Sequence, residues 1–257
     1  MMMLKSRITL PNTASGTAVT PTPIANASRS LNVVHYTTPN WGGFTGIIAY
    51  SSNIGSTDTD IGNTATQSIR RGAAWNLNPN YAAANWQVGY SYWRNKPDAG
   101  QAAATGFTGS DQRGHRLYGN YTFGFGLDIG LAWDSSKLEG NTGLRDGDTL
   151  SKRTVWSIPL QYSFMGKHQI TGHYTKANKD TKIDDIGIGN TGANMWALGY
   201  SYDLSKRTSL GVTYSRINNK ENASYNFFTS GSLGLGQGGV LPGEDPRMFG
   251  TTIRHAF

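Results

Sequence analysis

Residues 247–257 read RMFGTTIRHAF, and taken every second position they separate into two different lists. Phe249, Thr251, Ile253, His255 and Phe257 fall on one face; Gly250, Thr252, Arg254 and Ala256 fall on the other. Successive side chains of a strand point to opposite sides, so this period of two marks a β-strand. One face is apolar and ends in an aromatic, and the other is small, polar and basic. A strand with a greasy outside and a wet inside is what the wall of a transmembrane barrel requires.

The same alternation recurs upstream. Strand-like segments are expected at 31–37, 44–51, 68–77, 85–93, 112–123, 127–135, 152–164, 168–176, 193–204 and 208–218. Trp86, Val88, Tyr90 and Tyr92 alternate with Gln87, Gly89 and Ser91; Trp196, Leu198, Tyr200 and Tyr202 alternate with Ala197, Gly199, Ser201 and Asp203. Short turns are expected at 39–43, at Asn78-Pro79-Asn80, at Gly124, at Met165-Gly166 and at Ser205-Lys206. Between them lie long polar connections at 52–66, 95–110, 137–150, 177–192 and 219–246. Short turns at one end and long loops at the other describe an up-and-down antiparallel meander of about eleven strands, and residues 6–10 offer a twelfth. Pro159 sits inside one of these runs, which calls for a bulge or a local break. Aromatics beside the short turns, namely Trp41, Phe44, Trp75, Tyr81, Phe123, Phe125, Phe164, Tyr202 and Phe257, fit amphipathic rings at a membrane interface. A soluble β-sandwich would have shorter strands and less regular loop asymmetry.

Composition agrees. With 33 Gly, 13 Tyr, 7 Trp and only 15% charged residues in 257, the chain suits turns and girdles better than a helical enzyme. It has no cysteine, which removes disulfides and thiolate metal sites. No apolar run approaches the roughly 18 residues of a membrane-spanning helix, and the negative mean hydropathy is what averaging over alternating strands produces. The first residues, MMMLKSRITLPN, are too short an apolar stretch for a secretory signal. Net charge is +7, but Lys and Arg are scattered rather than clustered in a run or along a helix face, which argues against a nucleic-acid partner.

Three segments, SLNVVHYTTPNWGGFTGIIAYSS (30–52), ALGYSYDLSKRTSLGVTYSRINNKENASYNF (197–227) and the terminal FGTTIRHAF, resemble the trimeric general-diffusion porins of Gram-negative outer membranes, in their neisserial and betaproteobacterial branch. The YDLSKRT turn with its following strand and the ending His-x-Phe carry the resemblance, which spans 29–257. It implies a sixteen-stranded transmembrane barrel with an inward-folded third loop, of which this chain supplies the last eleven or twelve strands. Residues 31–257 would be the barrel domain, and 1–30 an irregular remnant of the constriction loop. It also implies a multi-pass protein of the cell outer membrane that passes small hydrophilic solutes and anions. The implied partners are outer-membrane lipid and lipopolysaccharide, the barrel-assembly machinery and, in a complete chain, two further copies in a homotrimer.

Parity assigns His35, Arg70, Arg116, His173 and Arg254 to the lumenal face, with Asp128, Asp134 and Asp203 as acidic counterparts. The resemblance gives wall arginines a role in selectivity and makes Phe249, Ile253, His255 and Phe257 the assembly signal. Isolated charges on a wet wall are otherwise ordinary solvated residues. His168 and His173 lack a metal-ligand spacing. Gly187 to Gly192 spells GxGxxG, yet it enters a strand instead of a helix and reads as a loop, like the Gly-rich 234–239. Acidic pairs Asp58/Asp60, Asp146/Asp148 and Asp184/Asp185 lie in long loops without partners for acid-base chemistry or calcium. No cofactor or enzymatic activity is expected. The expected function is a passive, anion-leaning outer-membrane pore; the alternative is a truncated, structural or adhesive barrel without channel activity.

Overall fold

The computed structural model describes residues 33–51, 73–96, 110–140, 149–182, 187–227 and 240–256. Eleven strands run through them: β1 Val33–Thr37, β2 Phe44–Ser51, β3 Ala73–Ala82, β4 Trp86–Lys96, β5 Ser110–Thr122, β6 Leu127–Gly140, β7 Thr149–Phe164, β8 His168–Ala177, β9 Ala193–Asp203, β10 Thr208–Asn219 and β11 Arg247–His255. They make one antiparallel sheet in which spatial order is sequence order. The short turns, at 38–43, 83–85, 123–126, 165–167 and 204–207, share one end of the sheet, as the alternation of connections requires. Strands β3 to β10 have ten or more residues each. At about 3.3 Å per residue and a barrel-like tilt, that length crosses an apolar band of about 25 Å.

Two turns share one stitching device. Gly43 and Gly126 have φ of +98° and +93°. Their carbonyls accept the amide N–H of Ala82 (2.9 Å) and Ser163 (2.8 Å), tying each short turn to the strand end that leads into the next one. A Cβ would fall 2.4 Å from the Ala82 carbonyl oxygen at the first and 2.3 Å from that of Ser163 at the second, so only glycine fits.

The register keeps each parity on one face across the whole sheet. Pairs such as Ile48 with Leu77, Leu117 with Trp133 and Leu210 with Ile253 place the apolar side chains together. These are the exposed ones: Leu117 is 52% exposed, Leu198 56% and Ile253 76%. A continuous apolar face over eleven strands far exceeds the patches that water-soluble surfaces carry, so its solvent is lipid. The opposite face is small and polar, with Ser51, Ser157, Thr175 and Ser215 buried.

Rings frame the apolar face twice. Near the short turns Tyr81 meets Trp86 (5.3 Å), Tyr121 meets Phe123 (4.7 Å), and Phe164 meets His168 (4.9 Å). Toward the long loops Tyr50 meets Trp75 (4.5 Å), Tyr92 meets His115 (5.0 Å), Trp133 meets Trp156 (6.4 Å) and Trp196 meets Tyr214 (5.3 Å). Phe44 and Tyr50, Trp86 and Tyr92, Trp156 and Tyr162, and Trp196 and Tyr202 are each six residues apart, about 20 Å along a strand.

Three local expectations need correction. Asn78-Pro79-Asn80 is not a turn but the interior of β3; the turn lies at 83–85, closed by Ala83 N–H to the Trp86 carbonyl (2.8 Å). Pro79 faces Gly46 across β2, while toward β4 the ladder is interrupted between Leu77–Tyr92 and Asn80–Gly89 and resumes in the same register. A proline without an N–H costs one rung there, and continuing alternation outweighs its turn propensity. Trp75 consequently belongs to the long-loop girdle and does not border the short turn. The charged stretch 137–150 is shorter as a loop, because β6 extends to Gly140 and β7 begins at Thr149. At Pro159 the expected disturbance takes the form of a local break: pairing stops between Ile129–Leu160 and Ala132–Ser157 without a shift, and the bulge of this ladder sits at Leu138/Glu139. Residues 6–10 and 1–30 lie outside the described residues.

Part of the polar face is roofed. Ala223 and Tyr225, from the connection after β10, are buried with Val155, Ala177, Ala193 and Ile217, and Met195 and Phe227 pack against this cluster. Asn219 anchors the segment: its side chain accepts the Tyr225 N–H (3.0 Å) and donates to the carbonyls of Tyr225 (2.9 Å) and Glu244 (2.6 Å).

Candidate pore wall

His35, Arg116, His173 and Arg254 occupy the polar face, on β1, β5, β8 and β11. No two of those strands are neighbours in the sheet, so the wall disperses these groups and does not gather them into one cluster. Asp128, Asp134 and Asp203 share their face, as parity requires. Arg70 lies outside the described residues.

Their surroundings differ. Arg116 stands directly across from Asp134, its Nε 2.5 Å from Oδ1, so much of its field is cancelled at source. His173 is held by hydroxyls: its Nε2 lies 2.7 Å from Ser157 Oγ and 3.1 Å from Thr175 Oγ1. His35 is exposed opposite Ala49. Arg254 stands opposite Ser209, whose other neighbour is Asp203, at the short-turn end. On the apolar side of β11, Phe249 and Ile253 are exposed, and His255 Nδ1 lies 2.9 Å from Thr208 Oγ1; Phe257 lies outside the described residues.

Three charged or polar groups of the wall escape sequence reading. Asp180 is fully buried and accepts the backbone N–H of Lys152 (3.1 Å) and Lys182 (3.0 Å) and the hydroxyl of Ser151. Arg153 reaches it at 3.6 Å and lies 5.3 Å over the Tyr225 ring. Burial pushes the Tyr225 phenol up. Arg153 lies within the expected strand 152–164 and shares the parity of Val155, so the alternation itself puts it on the polar face. Nothing in the string Asn178-Lys179-Asp180 marks the aspartate as buried.

Other motifs settle into structural roles. The GxGxxG stretch leads into β9, and its carbonyls serve the next loop: Asn190 accepts from the Asn222 N–H (3.1 Å) and Gly192 from that of Lys220 (3.0 Å). Asp245 binds the Arg216 guanidinium at 2.9 Å, and that hydrogen bond holds its carboxyl below the usual range. Asp58, Asp60, Asp146, Asp148, Asp184 and Asp185 and the stretch 234–239 lie outside the described residues. Among the described residues no three His, Asp or Glu are grouped to hold a metal ion.

The arrangement has known counterparts. The model of the Gram-negative porin family matches residues 3–222. An outer membrane porin protein of Bordetella pertussis is 26% identical over 207 residues, covering 72% of this chain and 51% of its own. An anion-selective porin from Comamonas acidovorans has a TM-score of 0.64 at 22% identity, covering 88% of this chain and 59% of that one. OmpT of Vibrio cholerae has a TM-score of 0.57 at 13% identity, over 87% and 63%. The chain thus spans about half the length of the curated relative it matches. A family match over most of the residues, on a meander with one lipid-facing and one polar side, leads to one assignment: the chain belongs to the Gram-negative porin family, as an outer-membrane β-barrel protein.

Proposed function

We propose that this chain forms the wall of a passive outer-membrane pore for small hydrophilic solutes and ions, leaning toward anions. The observation that carries the reading is the division of one sheet into an exposed apolar face and a polar face with ionisable groups on it. Net charge of +7 supports the anion preference, as does the selectivity named for the Comamonas relative. In this reading Arg254, Arg116 and Arg70 bias the lumen, with His35 and His173 contributing less, and the role is electrostatic, without catalysis. Arg116 shares its charge with Asp134. Residues 31–257 are then the barrel domain, and 1–30 part of an inward-folded loop. Phe249, Ile253, His255 and Phe257 form the signal read by the barrel-assembly machinery. Outer-membrane lipid, lipopolysaccharide and a homotrimer complete the partners.

Planar-bilayer recording tests the proposal. Discrete ohmic steps with a reversal potential on the anion side of a salt gradient are expected, and Arg254→Glu should move that potential toward cations. Silence of correctly folded protein would overturn the reading.

A further inference from the structure

The polar face carries an aromatic platform. Tyr118 of β5, Gly89 of β4 and Asn80 of β3 stand in one line across three adjacent strands. A Cβ at Gly89 would fall 2.3 Å from Tyr118 Cζ and 2.4 Å from its hydroxyl oxygen, so the phenol ring leans across β4 and rests on bare backbone. Glycine in a strand interior forfeits side-chain packing, and here it makes room for a ring to lie along the wall. A ring laid down in this way covers one of its faces and presents the other to the lumen; Tyr118 is accordingly half-buried.

Amides surround the ring. The Tyr118 hydroxyl donates to Asn78 Oδ1 at 3.4 Å, a long bond that a closer acceptor can replace. Asn80 Oδ1 is buried and accepts no hydrogen bond among the described residues, which leaves an acceptor open beside the platform. Gln87 and Asn120, paired across β4 and β5, lie two positions further along the same face. Each of these amides offers donors and an acceptor in one plane. Two positions the other way Arg116 stands against Asp134, a pair without net charge.

We infer that this stretch of wall is a subsite for a neutral sugar, whose ring stacks on Tyr118 and whose hydroxyls exchange hydrogen bonds with Asn78, Asn80, Gln87 and Asn120. The inference rests on the pore reading, because it takes the polar face to be open to solutes, and it names a class of solute that the wall holds in transit. A pyranose has C–H groups on the faces of its ring and hydroxyls around its edge, so the aromatic platform matches the first and the amides match the second. An anion gains little from the balanced Arg116–Asp134 pair, and an open-chain polyol has the hydroxyls without a ring face.

Saturation-transfer NMR tests this on the full-length protein in a zwitterionic detergent without sugar headgroups, with methyl β-glucopyranoside, sorbitol and glucuronate as probes. The glucoside should bind at least about fivefold more tightly than sorbitol, and Tyr118→Leu should weaken it by about fivefold to tenfold. Tyr118→Phe keeps the ring and should retain most of the binding. Gly89→Ala, whose clash is with the movable end of the Tyr118 side chain, should lift the ring off the wall and weaken the glucoside about as much; it tests the platform if Tyr118→Leu fails to fold. Tyr174→Leu removes an exposed ring from the lipid-facing side and should leave binding unchanged. Equal affinity for sorbitol and the glucoside, tighter binding of glucuronate than of the glucoside, or full glucoside binding in both Tyr118→Leu and Gly89→Ala would overturn the inference. Binding in detergent needs no conduction, so bilayer recording separates this from the pore reading. A conducting protein without ring-dependent binding sinks the subsite alone, and a silent protein that holds the glucoside through Tyr118 sinks the pore alone.

Discussion

The polar wall is built in two ways. Along β1 and most of β2 it is bare among the described residues: His35 is exposed, and only Ser51 at the long-loop end of β2 is buried. Along β7 to β10 the connections fold back onto it, and a small apolar cluster around Ile217 and a buried ion group around Asp180 fill the space. The difference teaches that a single-layer sheet acquires a core only where its loops provide the second layer. Stability contributed by side chains on the polar face should therefore be concentrated in one half of the wall.

The strongest attack on that contrast is Asp180→Ala. It leaves the Arg153 guanidinium buried without its carboxylate, at a cost of about 3–5 kcal/mol. His35→Ala in the bare half should change stability by less than about 0.5 kcal/mol. Urea unfolding of the protein in detergent compares the two, and equal effects would erase the distinction. Ile217→Ala probes the apolar part of the same roof, with about 2–5 kcal/mol expected from transfer and cavity. The same unfolding midpoint reports it.

Gly130→Val tests the boundary between the halves, where a Cβ would sit 2.8 Å from Pro159 Cγ. Overpacking there should cost about 1–3 kcal/mol, and Gly114→Ala on the adjacent strand β5, with open space around its Cβ, should cost less. The smallest effect concerns pH. Arg216 lowers the folded carboxyl pKa of Asp245, so the stabilisation it gives is complete above the ordinary carboxylate range and fades as pH falls through the lowered value. The protection factor of the Asn219 amide, which donates to Asp245 at 2.8 Å, should fall on acidification once the pH dependence of intrinsic exchange is divided out, and Asp245→Asn should flatten that response.

Strand identity and facing were legible because lipid on one side and water on the other impose a period of two on every segment, and Trp86 to Tyr92 or Trp196 to Tyr202 display it without interruption. Asn78-Pro79-Asn80 misled because turn propensity is local, whereas its strand role is set by partners on both sides that a single segment does not reveal. Candidates on the wall could be assigned a face, but not a partner: the Arg116–Asp134 pairing depends on the β5–β6 register, and Asp180 is buried by loop segments far away in the chain. Cross-strand alignments are invisible for the same reason: Arg94, Arg113, Lys137 and Lys152 meet in one register only when four strands are laid side by side.

Every ladder in this sheet joins strands that are consecutive in the chain. The hairpin is accordingly the module of construction, closed by a short turn and separated from the next by a long connection. Loop closure within such a unit is entropically inexpensive and independent of the rest. Adding or removing one hairpin at a long connection changes the circumference by two strands while every other rung keeps its register. A cut in a long connection before β9 likewise leaves one piece of whole hairpins and one of whole hairpins followed by β11, each carrying the edge by which it recognises the other.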